Sequence, residues 1–110
     1  MFAYEFKEVI VAESPTALDS FVSQLESKCK LHGATLHTDA PKHRAGEAVG
    51  RLWTYRLDGI LITHDVDTQW GVVVTQIRYE GERPAIVDSY LDLYGENKMT
   101  RFPKRDLVRA

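Results

Sequence analysis

The chain begins with two periods laid end to end. Phe2, Tyr4 and Phe6 alternate with Ala3, Glu5 and Lys7, and Val9, Ile10 and Val11 follow in a row. A period of two with β-branched residues predicts a strand over 2–12. The period then changes. Leu18, Phe21, Val22, Leu25, Cys29 and His32 recur at spacings of three and four, which lines up one stripe of a helix. Ser14 is placed to cap that helix, and Pro15 sits at its first position, where a missing N–H costs nothing. Lys28 and Lys30 complement the negative end of the dipole, and Gly33 suits the left-handed residue that stops the helix. The predicted helix is 15–32.

Beyond it, Ala34 to Leu36 reads as a short extended segment. Residues 37–48 (HTDAPKHRAGEA) show no clear period and contain Pro41 and Gly46. They read as a long loop, of the kind that more often serves a contact than a short turn does. RLWTYRL and ILITHDV then flank Asp58-Gly59, the residue pair that a two-residue type I′ hairpin requires. That turn sets a register: Leu57 opposite Ile60, Tyr55 opposite Ile62, Trp53 opposite His64, Arg51 opposite Val66. Opposed residues share a face, so Trp53, Tyr55 and Leu57 join Ile60, Ile62 and Val66 on an apolar surface. WGVVVTQIRY supplies a third strand at about 70–79.

Residues 84–95 (PAIVDSYLDLYG) fit two elements. Pro84 and Gly95 would suit the ends of a helix, yet neither Glu82 nor Arg83 is a good cap. The alternation of Ile86, Asp88, Tyr90, Asp92 and Tyr94 against Val87, Ser89, Leu91 and Leu93 favours a strand. GENK reads as a turn and MTRF as a short C-terminal edge strand stopped by Pro103. The expected fold is α+β in one domain, residues 1–110. One N-terminal helix packs on a mostly antiparallel sheet in the order β-α-β-β-β-β, with that edge strand last. A basic, partly flexible segment, 98–110, closes the chain.

Composition changes this picture little. An apolar fraction of 44% and a charged fraction of 27% are ordinary for a folded domain. Charge adds more. The formal net charge is −2, which gives no basic field for nucleic acid. The charge is nevertheless segregated. Residues 28–56 carry six cations against two acids, and residues 98–110 carry five against one. Residues 1–27 and 57–97 are acidic.

The single cysteine excludes an internal disulfide and fits a reducing compartment, so a cytoplasmic location is expected. No apolar run approaches the roughly 20 residues of a membrane helix, and MFAYEFKEVIV lacks the organisation of a secretory signal.

Candidate chemistry is sparse. The four histidines, His32, His37, His43 and His64, fall in the middle third without metal-ligand spacing on one element. His37, Asp39 and His43 are the weak metal candidates, and the expectation is no metal and no cofactor. The bland assignments are a helix-stripe His32, a hydrogen-bonded His64 beside Trp53, and two solvated loop histidines. DVDTQWG opens like a calcium loop but has Trp70 where the sixth-place glycine belongs. Cys29 on a helix stripe reads as a buried small residue. No nucleophile elbow, dinucleotide fingerprint or phosphate loop occurs, which leans against an enzyme.

Arg51, Trp53, Tyr55 and Arg56 would suit single-strand nucleic acid if the rings faced solvent. Their shared face with Leu57 and Ile62 reads as core instead. A small-molecule enzyme stays as a further alternative. The sequence therefore favours a binding module for a protein partner, or for self-association, over nucleic acid. Its contact surface would be Lys42, His43 and Arg44 in the loop, with Arg101, Lys104 and Arg105 in the C-terminal segment.

Overall fold

The computed structural model describes the backbone of residues 4–96 and 100–109 and the side chains of residues 4–94. The elements, in chain order, are β1 (Tyr4–Val11), α1 (Pro15–Leu31), β2 (Thr35–Arg44), β3 (Glu47–Leu57), β4 (Ile60–Asp67), β5 (Val72–Tyr79), α2 (Ala85–Glu96) and β6 (Thr100–Arg109). The strands form one antiparallel sheet in the order β2-β3-β4-β5-β1-β6. The α+β class and the antiparallel sheet follow the expectation from sequence. The number and order of elements do not. There are two helices rather than one, and β2 and α2 stand where a loop and a strand were expected.

The hairpin at Asp58-Gly59 has positive φ at both residues, 46° and 79°, as the type I′ turn requires. The pairs Leu57–Ile60, Tyr55–Ile62, Trp53–His64 and Arg51–Val66 all form. Trp53 is 0% exposed and Tyr55 5%. They point into the core together with Phe6, Ile10, Ile62, Val66, Val73 and Ile77.

The helix α1 covers this face with Leu18, Phe21, Leu25 and Cys29. Ser14 Oγ accepts from the Ala17 N–H at 3.1 Å, and Gly33 at φ 80° ends the helix: its N–H donates to the Lys30 carbonyl and the Ala34 N–H to the Cys29 carbonyl, both at 3.0 Å. These are the cap and stop that the sequence specifies.

Residues 85–96 are helix, which corrects the preference for a strand. The physical reason lies in the acids. As a strand, the segment would put Asp88 and Asp92 on one face with Ile86, Tyr90 and Tyr94. As a helix it buries Ile86, Val87, Tyr90, Leu93 and Tyr94 on one side and leaves Asp88 and Asp92 in solvent. Asp88 also lies in the first turn, where it complements the dipole, and pairs with Arg83 at 2.9 Å. Gly95 lies inside α2 and does not end it. Phe21 meets Tyr94 with ring centroids 5.2 Å apart, and His32 Nε2 bonds Ser89 Oγ at 2.8 Å, so both helices share one face of the sheet.

The second correction concerns residues 37–48. They form no long loop. β2 runs through Pro41 to Arg44, turns at Ala45-Gly46 with φ 53° and 83°, and returns as β3. Pro41 is tolerated because β2 is an edge strand, where one missing N–H breaks no second ladder. Two register shifts, between Leu36 and Thr38 and between Lys42 and His43, bend this arm. At the second, Gly50 is required: a Cβ there would stand 1.8 Å from the carbonyl oxygen of Val66. The C-terminal strand also outruns its expectation, since β6 continues past Pro103 to Arg109 along β1. Part of the GENK turn lies outside the described residues.

Candidate functional site

The arm formed by β2 and β3 holds the loop residues singled out in the sequence. Lys42, His43 and Arg44 are consecutive at the end of β2, just before the Ala45-Gly46 turn. Lys42 Nζ donates to Asp65 Oδ1 at 2.7 Å. Arg44 Nη2 donates to Asp67 Oδ2 at 2.9 Å, and its Nη1 donates to Gln69 Oε1. His43 is exposed. The basic cluster is thus a set of ties that hold the arm to β4 and the following turn. Asp67 is drawn into a dense set of bonds: its Oδ1 accepts from the backbone N–H groups of Gln69 and Trp70, both at 2.9 Å. Burial would raise the Asp67 pKa, but these donors and the Arg44 guanidinium together hold it below the usual carboxylate value.

Arg51 anchors the arm at mid-length. Its Nε and Nη2 grip both oxygens of Asp39 at 2.8 Å, and its Nη1 reaches Glu26 on α1 at 3.3 Å. The bidentate bond holds the Asp39 carboxyl below its ordinary pKa and raises that of Arg51. Tyr55 donates to the other oxygen of Glu26 at 3.4 Å. The guanidinium also lies over the Trp53 ring, 4.1 Å from its centroid.

Asp39, a weak metal candidate, is therefore committed to Arg51, while His37 and His43 are exposed elsewhere along β2. Among the described residues, no three His, Cys, Asp or Glu side chains come together as a ligand set. The side chains of Arg101, Lys104 and Arg105 lie outside the described residues.

With its inner edge tied down, β2 leaves its outer edge open. It is the terminal strand of the sheet, ten residues long, and all but Lys42 are exposed. Leu36 on this strand is 52% exposed, and Leu31 at the end of α1 is 77% exposed.

A second polar group lies in the interior. The register aligns Glu8, Thr75, His64 and Trp53 in one row across β1, β5, β4 and β3, all of them buried. Tyr90 of α2 reaches down to this row. Its hydroxyl is 2.8 Å from His64 Nε2, 2.9 Å from Cys29 Sγ and 3.2 Å from the Leu25 carbonyl oxygen. One arrangement uses every donor: His64 Nε2–H and the Cys29 S–H donate to the Tyr90 oxygen, and Tyr90 donates to Leu25. It leaves Nδ1 of His64, which has no partner, as a bare lone pair.

Burial pushes the His64 pKa down to about 3, so the ring is neutral. Burial likewise pushes the Cys29 thiol up to about 11 and the Tyr90 hydroxyl well above its usual value. A thiol so held is a poor nucleophile. His64, Cys29 and Tyr90 are thus all neutral near pH 7.

Sequence reasoning did not anticipate Tyr90 as the hub, because it placed that residue on a strand. It also did not anticipate Glu26, Asp65 and Asp67 as partners of the basic residues. The signal for Tyr90 was the helical period hidden under an accidental alternation. No comparable signal marked the ion pairs, which depend on how the arm folds back.

No helix among the described residues is long and apolar enough to cross a membrane. No known family model matches the chain, and none of the curated proteins matches it either.

Proposed function

We propose that the chain is a protein-binding domain that receives a strand of another polypeptide along the outer edge of β2, with Lys42, His43 and Arg44 at the end of that edge. The observation that carries this reading is the edge itself: ten residues, nine of them exposed, tied down from behind by ion pairs. An edge strand offers a row of unpaired backbone donors and acceptors, and another strand can extend the sheet there. Leu36 adds exposed apolar area on the strand itself.

Nucleic acid is the weaker partner because the rings that would stack on bases are buried. Trp53 is 0% exposed and Tyr55 5%, and Lys42, Arg44 and Arg51 are each matched by a carboxylate. The single buried thiol suits a reducing, cytoplasmic setting. Arg101, Lys104 and Arg105 belong to β6, at the opposite edge of the sheet, and would serve a separate contact.

The test uses two edge variants. Leu36→Lys places a charge beside the edge, and His37→Pro removes an N–H at a position with no partner in β3. Both should keep the circular dichroism and melting temperature of the parent. Both should lose the partners that the parent captures from cell extract, or the self-association that light scattering detects. Unchanged capture and unchanged mass in both variants would reject the edge as the contact.

A further inference from the structure

A groove runs along the first half of α1, built from two hollows that share Leu18 and Thr68. The larger, about 300 Å³, lies between α1 and β3. Leu18 and Val22 form its helix side, and Ala48 and Val66 stand across from them. It stays open because Ala48 and Gly50 carry little or no side chain, and a Cβ at Gly50 would collide with the Val66 carbonyl oxygen. The smaller, about 190 Å³, lies where the start of α1 meets the turn between β4 and β5, and Glu13, Pro15 and Trp70 line it.

Charge and exposure say what such a groove takes. Trp70 is 66% exposed, and a large ring left in solvent at the rim of a hollow is a common anchor for a partner. From residue 12 to residue 27 the chain carries Glu13, Asp19 and Glu26 and no cation. Glu26 is spent on Arg51, and Arg51 is balanced by Asp39 and Glu26. Glu13 lines the smaller hollow and Asp19 the larger, and among the described residues neither meets a cation. The groove thus combines an apolar floor, an exposed indole and two unbalanced carboxylates. An anion at the start of α1 would meet Glu13, and Ser14 Oγ already takes an N–H of the first turn.

We propose that this groove binds an extended segment of another polypeptide in which an arginine or lysine stands close to a leucine-sized apolar residue. The cation lies against the Trp70 ring, the best aromatic face for one, and Glu13 and Asp19 supply the opposite charge. The apolar side chain fills the hollow between Leu18, Val22 and Val66. This contact is separate from the β2 edge and does not rest on it.

The test is a titration of the ¹⁵N-labelled protein with short acetylated and amidated peptides. In these, Arg and Leu stand one, two or three residues apart, in either order, with Ala between. At least one should shift the Trp70 indole N–H and the Val22 amide together and saturably, and leave the β2 amides in place. Replacing its Arg by Glu, or its Leu by Gly, should weaken binding by about ten-fold or more. Trp70→Ala and the pair Glu13→Gln with Asp19→Asn change exposed positions, so the protein stays folded. Each should weaken the peptide by about ten-fold, read at Val22. Ala48→Leu fills the larger hollow from an exposed position and should do the same. No saturable shift of Trp70 with any of the Arg–Leu peptides overturns the proposal. So does equal binding of the Glu or Gly peptide, undiminished binding to all the variants, or a shift confined to β2.

Discussion

The two ends of the β3 strand lie in unlike surroundings. Around Trp53 and Tyr55 the strand is sealed under α1 and α2, and its neighbours are apolar rings and a buried histidine. Around Glu47 and Ala48, at the hairpin end, both residues are exposed, and the arm is held by ion pairs at partly exposed positions. The covered part derives its stability from burial, which is worth about 25 cal/mol per Å² of apolar surface. Solvent-exposed ion pairs are each worth about 1 kcal/mol or less. The two parts therefore carry different duties. The covered part fixes the fold, and the arm keeps a strand edge in place at low energy, where a partner can reach it.

The largest expected effect breaks the covered part. Trp53→Ala removes the largest fully buried side chain and should cost about 3–5 kcal/mol in chemical denaturation. Leu36→Lys on the arm should cost about 0.5 kcal/mol or less by the same measurement. Equal losses would erase the distinction between the two parts.

Next in size is Tyr90→Phe. It deprives His64, Cys29 and the Leu25 carbonyl of their common partner at almost constant volume. The expected loss is about 1–3 kcal/mol, because buried polar groups are left unpaired.

The acid limb of stability sharpens the same contrast. His64 holds its proton at a pKa of about 3 in the folded protein, against about 6.5 when unfolded. The unfolded chain binds the extra proton, so stability is full above about pH 6.5 and falls as pH drops from there toward 3. The slope is about 1.4 kcal/mol per pH unit within that window. Asp39 and Asp67, with lowered pKa values, add a loss only once pH enters the carboxylate range. His64→Gln should flatten the upper part of the acid limb and leave the lower part. A profile unchanged by the substitution would contradict a buried neutral histidine.

The smallest effect lies at the tip of the arm. Ala45 holds φ 53°, which a side chain with a Cβ tolerates poorly. Ala45→Asn should raise stability by up to about 1 kcal/mol, read as an upward shift of the thermal midpoint, without changing the covered part.

What was legible in the sequence follows from how local the determining signal is. The Asp58-Gly59 turn carries its own geometry, so the pairing of β3 with β4 could be read residue by residue, and with it the inward direction of Trp53 and Tyr55. The cap at Ser14 and the stop at Gly33 bounded α1 for the same reason.

The β2–β3 turn hid because Ala45 is an improbable residue at its position, and because Pro41 reads as a strand breaker unless β2 is known to be an edge. The α2 helix hid because its acids alternate with apolar residues by chance. Only the requirement to expose both Asp88 and Asp92 decides it. The ties of Lys42 and Arg44 were out of reach from sequence, since Asp65 and Asp67 come beside them only after the arm has folded back onto β4.

The open edge of β2 is what the proposed function rests on, and amide hydrogen exchange reads it strand by strand. In the isolated chain, amides of β4 and β5 should exchange only through global unfolding, while β2 should show amides that exchange orders of magnitude faster. Saturation with a captured partner should protect those fast β2 amides and leave β4 and β5 unchanged. Protection that appears elsewhere, with β2 still exchanging as in the isolated chain, would contradict the account.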